Sequence, residues 1–190
     1  MPSEIRVLGF AGSLRRASVN RGLLRVAAGQ LPEGMNLDVF DLAPIPLYNG
    51  DVESQDGFPE PVVAFREAIR AADALLIVCP EYNYSIPGVL KNAIDWASRG
   101  ADQPFAGKPV ALMGAGGGLG SARSQYHLRQ VCVYLDMHPL NKPEVMVPMS
   151  GQKFDKDGEL TDESVRPKVA ALLAALAGWT RQLRGDSRGE

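Results

Sequence analysis

The nine residues Gly12-Ser13-Leu14-Arg15-Arg16-Ala17-Ser18-Val19-Asn20 gather three short neutral donors, Ser13, Ser18 and Asn20, beside two cations, Arg15 and Arg16. Where a strand hands over to a helix, such a loop suits a phosphate. The first N–H groups of a helix have no intrahelical partner, and its N-terminus carries a partial positive charge. Arginine adds charge-assisted bonds to the neutral ones. The loop is not the G-x-x-x-x-G-K-[ST] of nucleoside triphosphatases, because no lysine lies nearby, nor G-x-G-x-x-G, because only Gly9 and Gly12 are present. The plainer alternative is a helix cap at Ser18 or Asn20 with both arginines in solvent.

A second loop, Pro80-Glu81-Tyr82-Asn83-Tyr84-Ser85-Ile86-Pro87, puts two tyrosines two residues apart between prolines. One ring can face a planar ligand while Asn83 and the backbone read the polar edge of a heterocycle; alternatively both rings pack on the following helix and Glu81 is solvated. A third loop, Gly114-Ala115-Gly116-Gly117-Gly118-Leu119-Gly120, nearly makes a dinucleotide fingerprint and fails on register. Counting from Gly114, Gly116 or Gly118, the third glycine position falls on Leu119, Ser121 or Arg123. Bare backbone still lets N–H groups approach a ligand closely, and the N-terminus of the next helix should add positive potential. A merely flexible loop is the alternative.

These loops need elements to position them, and apolar runs alternate with helical patterns along the chain. Ile5–Ala11 and Ala74–Cys79 read as strands buried on both faces, Leu37–Leu42 as an edge strand, Lys108–Ala115 as a fourth and Glu144–Val147 as a short fifth. Helices are expected over Val19–Leu31, Phe58–Ala72, Pro87–Ser98 and Gly120–Asp136. A closing one follows from Val165, Val169, Leu172, Leu176, Trp179 and Leu183. Ala43–Gly57, with its prolines and turn residues, reads as a long irregular connection. The order gives an α/β fold: a doubly wound five-stranded parallel sheet, strand order 2-1-3-4-5, with helices on both faces. It is expected to form one domain over residues 1–184 with a frayed tail over 185–190. Ligands of such sheets bind at the carboxyl ends of the strands, where all three unusual loops fall.

Composition removes other classes. Of 190 residues 45% are hydrophobic, enough to fold, and 20 basic against 22 acidic side chains leave a net charge of −2, so no nucleic-acid partner is expected. No apolar stretch approaches the ~20 residues that span a bilayer, so no membrane partner is expected. Met1-Pro2-Ser3-Glu4 lacks the basic start of a secretion signal. Cys79 and Cys132, without a CxxC pairing, fit two buried thiols in a reducing cytoplasm. No metal-binding or hydrolase motif is present, and His127 and His138 are isolated; His127 reads as a helix-surface or interface residue.

GSLRRASVN at Gly12–Asn20 and PEYNYSIPGVLKNAIDW at Pro80–Trp96 resemble the NADPH-dependent FMN reductase family, which is flavodoxin-like and includes bacterial quinone and chromate reductases. SARSQYHLRQ at Ser121–Gln130 and Asn141-Lys142-Pro143-Glu144 resemble the same subgroup, and the similarity runs over roughly residues 4–150. The resemblance implies a bound FMN, its phosphate held around Ser13, Leu14, Arg15, Ser18, Val19 and Asn20. Pro80, Glu81, Tyr82, Asn83 and Tyr84 would line the ring, and Gly114, Gly116 and Gly117 would approach its pyrimidine end. Relatives often carry serine where this chain has Gly114–Gly118, so backbone must serve there. The implied activity is hydride transfer from NADPH or NADH through FMN to a quinone or similar acceptor, such as chromate, azo or nitro compounds or free flavin, by ping-pong exchange. No residue would be catalytic in its own right, because the chemistry lies on the flavin. Glycine-loop N–H groups would steady the negative charge of the reduced ring. A homodimer or homotetramer is also implied, with Tyr126, Leu128, Val131 and Tyr134 as candidate interface residues. A flavodoxin-type electron carrier without turnover is the rival from another class, although −2 is little charge for partner docking; a flavin or nucleotide sensor is a second.

Overall fold

The structure, a computed structural model, describes residues 4–185. Six parallel strands, β1 (Ile5–Ala11), β2 (Met35–Phe40), β3 (Ala74–Val78), β4 (Pro109–Ala115), β5 (His138–Pro139) and β6 (Val145–Val147), form one sheet in the order β2-β1-β3-β4-β5, with β6 also on β4. The helices are α1 (Val19–Ala28), α2 (Gly50–Asp56), α3 (Glu60–Ala71), α4 (Gly88–Ala97), α5 (Ala122–Tyr134) and α6 (Arg166–Arg184).

Residue alternation in the strands divides the core in two. Ile5, Val7, Leu76, Val78, Ala111 and Met113 face α1 and α6. Leu8, Phe10, Leu75, Ile77, Val110 and Leu112 face α3, α4 and α5. Burial on both faces is what a parallel sheet requires, and it explains why these strands read as continuous apolar runs. The expected order 2-1-3-4-5 is observed.

Three details differ from expectation. The edge strand β2 starts and ends two residues earlier, because Val39 at 60% exposure and half-covered Leu37 give weak alternation. The fifth strand position is filled by two pieces: β5 pairs with Pro109 and Val110, while β6 pairs with Met113, Gly114 and Ala115. Pro139 and Pro143 interrupt that edge by removing backbone donors. The connection over residues 43–57 contains α2, capped by Asn49 and opened by Asp51 and Glu53 near its positive end, with no buried residue. A helix without an apolar face leaves no periodicity to read.

α6 closes at Gly185 in the left-handed conformation (φ 73°). The rest of the expected frayed tail, residues 186–190, lies outside the described residues. Among the described residues no helix is long and apolar enough to cross a membrane.

Candidate functional site

β1, β3 and β4 are neighbours in the sheet and run parallel, so the loops that leave their carboxyl ends converge. The first enters α1 through Ser18, whose Oγ accepts from the N–H groups of Asn20 at 3.2 Å and Arg21 at 3.4 Å. The cap is neutral and the first turn holds no acid. The N–H groups of Ser13 through Ala17 and of Val19 find no acceptor among the described residues. Ser13 and Ser18 are buried at the floor of the loop, while Leu14, Arg15 and Arg16 stand exposed. A run of loop N–H groups without acceptors leading into a neutrally capped helix, with two hydroxyls and two guanidiniums around it, fits a phosphate.

Asn20 has a different task from the one expected. Its Nδ2 donates to the Ala115 carbonyl at 3.0 Å and its Oδ1 accepts from the Ala115 N–H at 2.9 Å, with the residue 4% exposed. The carboxamide therefore ties α1 to the end of β4. It fixes the phosphate loop against the glycine loop instead of facing a ligand.

In the second loop, buried Pro80 leads into a two-residue hairpin in which Tyr82 and Ser85 exchange backbone bonds at 3.1 and 3.0 Å. Its tip residues, Asn83 (φ 48°) and Tyr84 (φ 66°), are both left-handed, the geometry of a tight hairpin and a conformation that β-carbons resist. Both tyrosine rings are more than half exposed. The Tyr82 hydroxyl reaches Ser13 Oγ at 3.4 Å, and the Arg123 guanidinium lies 3.4 Å from the centre of the Tyr84 ring. Ser85 Oγ and His127 Nδ1 share a hydrogen bond at 3.0 Å, which places His127 behind the hairpin.

Glu81 turns away from solvent, with its side chain 8% exposed. Its carboxylate accepts from the N–H groups of Arg123 at 3.0 Å and Ser124 at 3.4 Å and from Arg123 Nε at 2.6 Å. Burial alone pushes the carboxyl up, but the Arg123 guanidinium and the two N–H groups together hold it below the usual glutamate value. Glu81 therefore caps α5 from another loop, where α5's own N-cap residue, Ser121, supplies no side-chain bond. The expected positive end of α5 is filled by this carboxylate. The two helix N-termini at the site thus differ in the charge of their caps: a neutral hydroxyl on α1 and a carboxylate on α5.

The glycine run divides in the same way. A Cβ on Gly114 would run into Ser121 Oγ and the Cys79 carbonyl, one on Gly116 into the Gly120 carbonyl, and Gly120 is left-handed at φ 65°. Those three serve packing. The Gly116 N–H is taken by the Val147 carbonyl at 3.1 Å. Gly117 and Gly118 meet nothing within 4 Å, and their N–H groups find no acceptor among the described residues. Behind the loop, buried Gln125 donates to Ser121 Oγ at 2.9 Å and to the Val145 carbonyl at 3.1 Å.

Two further parts escaped the sequence reading. Arg123 links Glu81 to Tyr84; its position just beyond the glycine loop was the only available signal. The segment 149–159 straps the first and third loops together. The N–H groups of Met149 and Ser150 bond to the Gly117 and Gly116 carbonyls at 2.9 Å, and the Gly158 carbonyl accepts from Arg25 at 3.0 Å, with Gly158 close against Ala17. Met149 is left-handed (φ 52°) and half exposed beside the glycine loop.

A parallel sheet of order β2-β1-β3-β4-β5 with helices on both faces places the chain among flavodoxin-like proteins. The NADPH-dependent FMN reductase family model matches residues 5–152, and the chain belongs to that family. It is 55% identical to an NAD(P)H-dependent FMN reductase of Pseudomonas aeruginosa over 97% of this chain and 100% of the relative. It is 43% identical to a quinone reductase of Escherichia coli K12, again over 97% and 100%. Among solved structures it resembles the flavoenzyme NAD(P)H:(acceptor) oxidoreductase FerB of Paracoccus denitrificans, with a TM-score of 0.83, 30% identity, and coverage of 94% of this chain and 98% of that one.

Proposed function

We propose that the chain is an NAD(P)H-dependent quinone reductase whose FMN lies across the three loops of a single domain over residues 1–184. The observation that carries this reading is the loop into α1: the N–H groups of residues 13–17 and 19 without acceptors among the described residues, a neutral cap, and Ser13, Arg15 and Arg16 around them. FMN held there would supply two-electron hydride chemistry between NAD(P)H and a quinone, the second proton of the quinol coming from water.

The residues of the chain bind and orient. Ser13, Ser18, Arg15 and the N–H groups of Leu14 and Val19 would hold the phosphate. Tyr82, Asn83 and Tyr84 would form one wall of the ring site, with Gly117 and Gly118 as the other. Gly114, Gly116, Asn20, Pro80 and Glu81 would act one step back, by fixing those walls. The free N–H groups of Gly117 and Gly118 are suited to the negative charge of the reduced ring. Donor and acceptor would use the same face in turn, which makes the kinetics ping-pong. The two buried free thiols agree with a cytoplasmic location. Exposed Tyr126, Val133 and Tyr134 on α5 agree with a homodimer or homotetramer, whereas Leu128 from the expected interface set is buried in the core.

Absorbance between 350 and 500 nm, followed by anaerobic NADPH and then a quinone, tests the reading. Bleaching by NADPH and steady quinone turnover are expected. A protein that takes up no FMN would refute it, and a yellow protein that NADPH cannot bleach would be a carrier instead. Arg15→Ala should weaken FMN retention at least about tenfold while leaving the melting temperature within about 2 °C, since an exposed side chain contributes little to stability. Unchanged FMN affinity would remove Arg15 from the phosphate site.

A further inference from the structure

The walls proposed for the ring site are joined by one part-buried ion pair. Glu81 begins the hairpin that carries Tyr82 and Tyr84. Arg123 sits in the first turn of α5, the helix that leaves the glycine loop. The carboxylate closes the N-terminus of α5 and pairs with a guanidinium that lies over the Tyr84 ring. From this arrangement we infer that Glu81 is a residue that sets the redox potential, holding the bound flavin at a lower potential by offsetting the positive charge of a guanidinium and of a helix N-terminus beside the glycine loop. The inference rests on FMN occupying the three loops and goes beyond that reading by assigning a direction of tuning.

The reasoning is electrostatic. A two-electron-reduced flavin carries one more negative charge than the oxidised form, so any uncompensated positive charge at its rim favours the reduced form and raises the potential. An open helix N-terminus is worth about half a positive charge, and a guanidinium a full one. Both lie at the glycine-loop side of the site, and the single carboxylate of Glu81 bonds to both and offsets most of their charge. Its partners hold the carboxyl ionised at neutral pH in spite of burial. At α1 the opposite choice is made: the cap is a neutral hydroxyl that leaves the positive end of the helix without a counter-charge, which suits the dianionic phosphate in both redox states. Positive potential is thus kept where it anchors the cofactor and withheld where it would trap electrons on the ring. A low potential suits an enzyme that must hand its electrons onward.

The other charged groups near this wall are few. On α5, His127 bonds to Ser85, and Arg129 bonds away from the site to the Leu140 carbonyl. Glu144, before β6, pairs with Lys142. Among these groups, only Glu81 and Arg123 bond across from the hairpin to the first turn of α5.

The two members of the pair predict opposite signs. In Glu81→Gln the helix end and Arg123 lose their counter-charge. Reduced FMN should then bind about tenfold more tightly relative to oxidised FMN, which raises the two-electron midpoint potential by about 30 mV. In Arg123→Gln the carboxylate keeps only the helix end, and the potential should fall by a similar amount. The double variant should return close to the wild-type value. The experiment measures midpoint potentials of FMN-loaded wild type and the three variants by dye equilibration, together with oxidised-FMN dissociation constants from fluorescence quenching. A purely structural role for the pair would weaken oxidised and reduced FMN alike and leave the potential in place. Shifts below about 10 mV, or shifts of the same sign in both single variants, overturn the inference. A wild-type protein that binds no FMN overturns the underlying reading as well, whereas normal FMN binding with unmoved potentials sinks only the tuning role.

Discussion

Alanine at Gly114 and at Gly117 should act in opposite directions on stability and on cofactor binding. At Gly114 the new Cβ would press on Ser121 Oγ and on the Cys79 carbonyl oxygen. The hydroxyl could rotate away, but the carbonyl belongs to the backbone just beyond β3 in the middle of the sheet and cannot. Overpacking of a close-packed interior costs about 1–3 kcal/mol, and a backbone obstacle puts Gly114→Ala at the top of that range. For a chain of this size each kcal/mol lowers the melting temperature by about 2–4 °C, so a drop of about 6–12 °C is expected. Gly117 has open space around its Cβ position and no left-handed φ. Gly117→Ala therefore removes only unfolded-state freedom and should stabilise the apo-protein by about 0.4–1 kcal/mol. Its methyl group would project where bare backbone is proposed to meet the flavin, and FMN affinity should fall about tenfold, or about 1.4 kcal/mol. Thermal melts of the apo-proteins and fluorescence titration with FMN measure both quantities. A Gly114→Ala protein that melts within about 2 °C of wild type would refute the packing reasoning. A Gly117→Ala protein with wild-type FMN affinity would remove the glycine loop from the ring site.

Asn20→Ala strands a buried donor and a buried acceptor on Ala115; a loss of about 2–4 kcal/mol is expected in urea melts, and a loss below 1 kcal/mol would show that water replaces the clamp. Cys79 and Cys132 are both pushed up to about 12 by burial, so neither should react with a disulfide reagent at pH 8 in the native protein, and both should react after denaturation. Rapid native labelling of either would contradict their placement in the core. Glu81 has a folded value below that of an unfolded glutamate, about 4.3, so its contribution is full above that pH and is lost as pH falls through the lower folded value. The stability gap between wild type and Glu81→Gln should therefore be wider at pH 6 than at pH 3, and a gap that widens in acid would reverse the assigned sign.

Sheet order, five of the six strands and the positions of the three loops were legible in the sequence because burial on both faces writes itself as apolar runs. α2 was not, because a helix with no buried residue carries no period. The site was legible in its residue types and only partly in their duties. Ser13 and Ser18 stand buried in the first loop, and Tyr82 and Tyr84 stand exposed in the second. Asn20 and Glu81 carry the same kinds of polar group, yet the fold engages both: Asn20 by a backbone position 95 residues away and Glu81 by a helix end 42 residues away. Such bonds depend on which strands lie side by side, and that is settled by packing far from the loop. The glycines make the same point from the other direction. Gly114–Gly118 is one compositional feature in the sequence, but neighbours contributed by β3 and by the residues before α5 turn Gly114 and Gly116 into packing positions and leave Gly117 and Gly118 open. A polar or bare residue at a strand end is therefore a candidate for ligand contact only after the fold's own claims on it have been met. In this chain those claims concentrate on the joints between loops, so the residues most constrained by the site are those that hold its walls apart at a fixed distance.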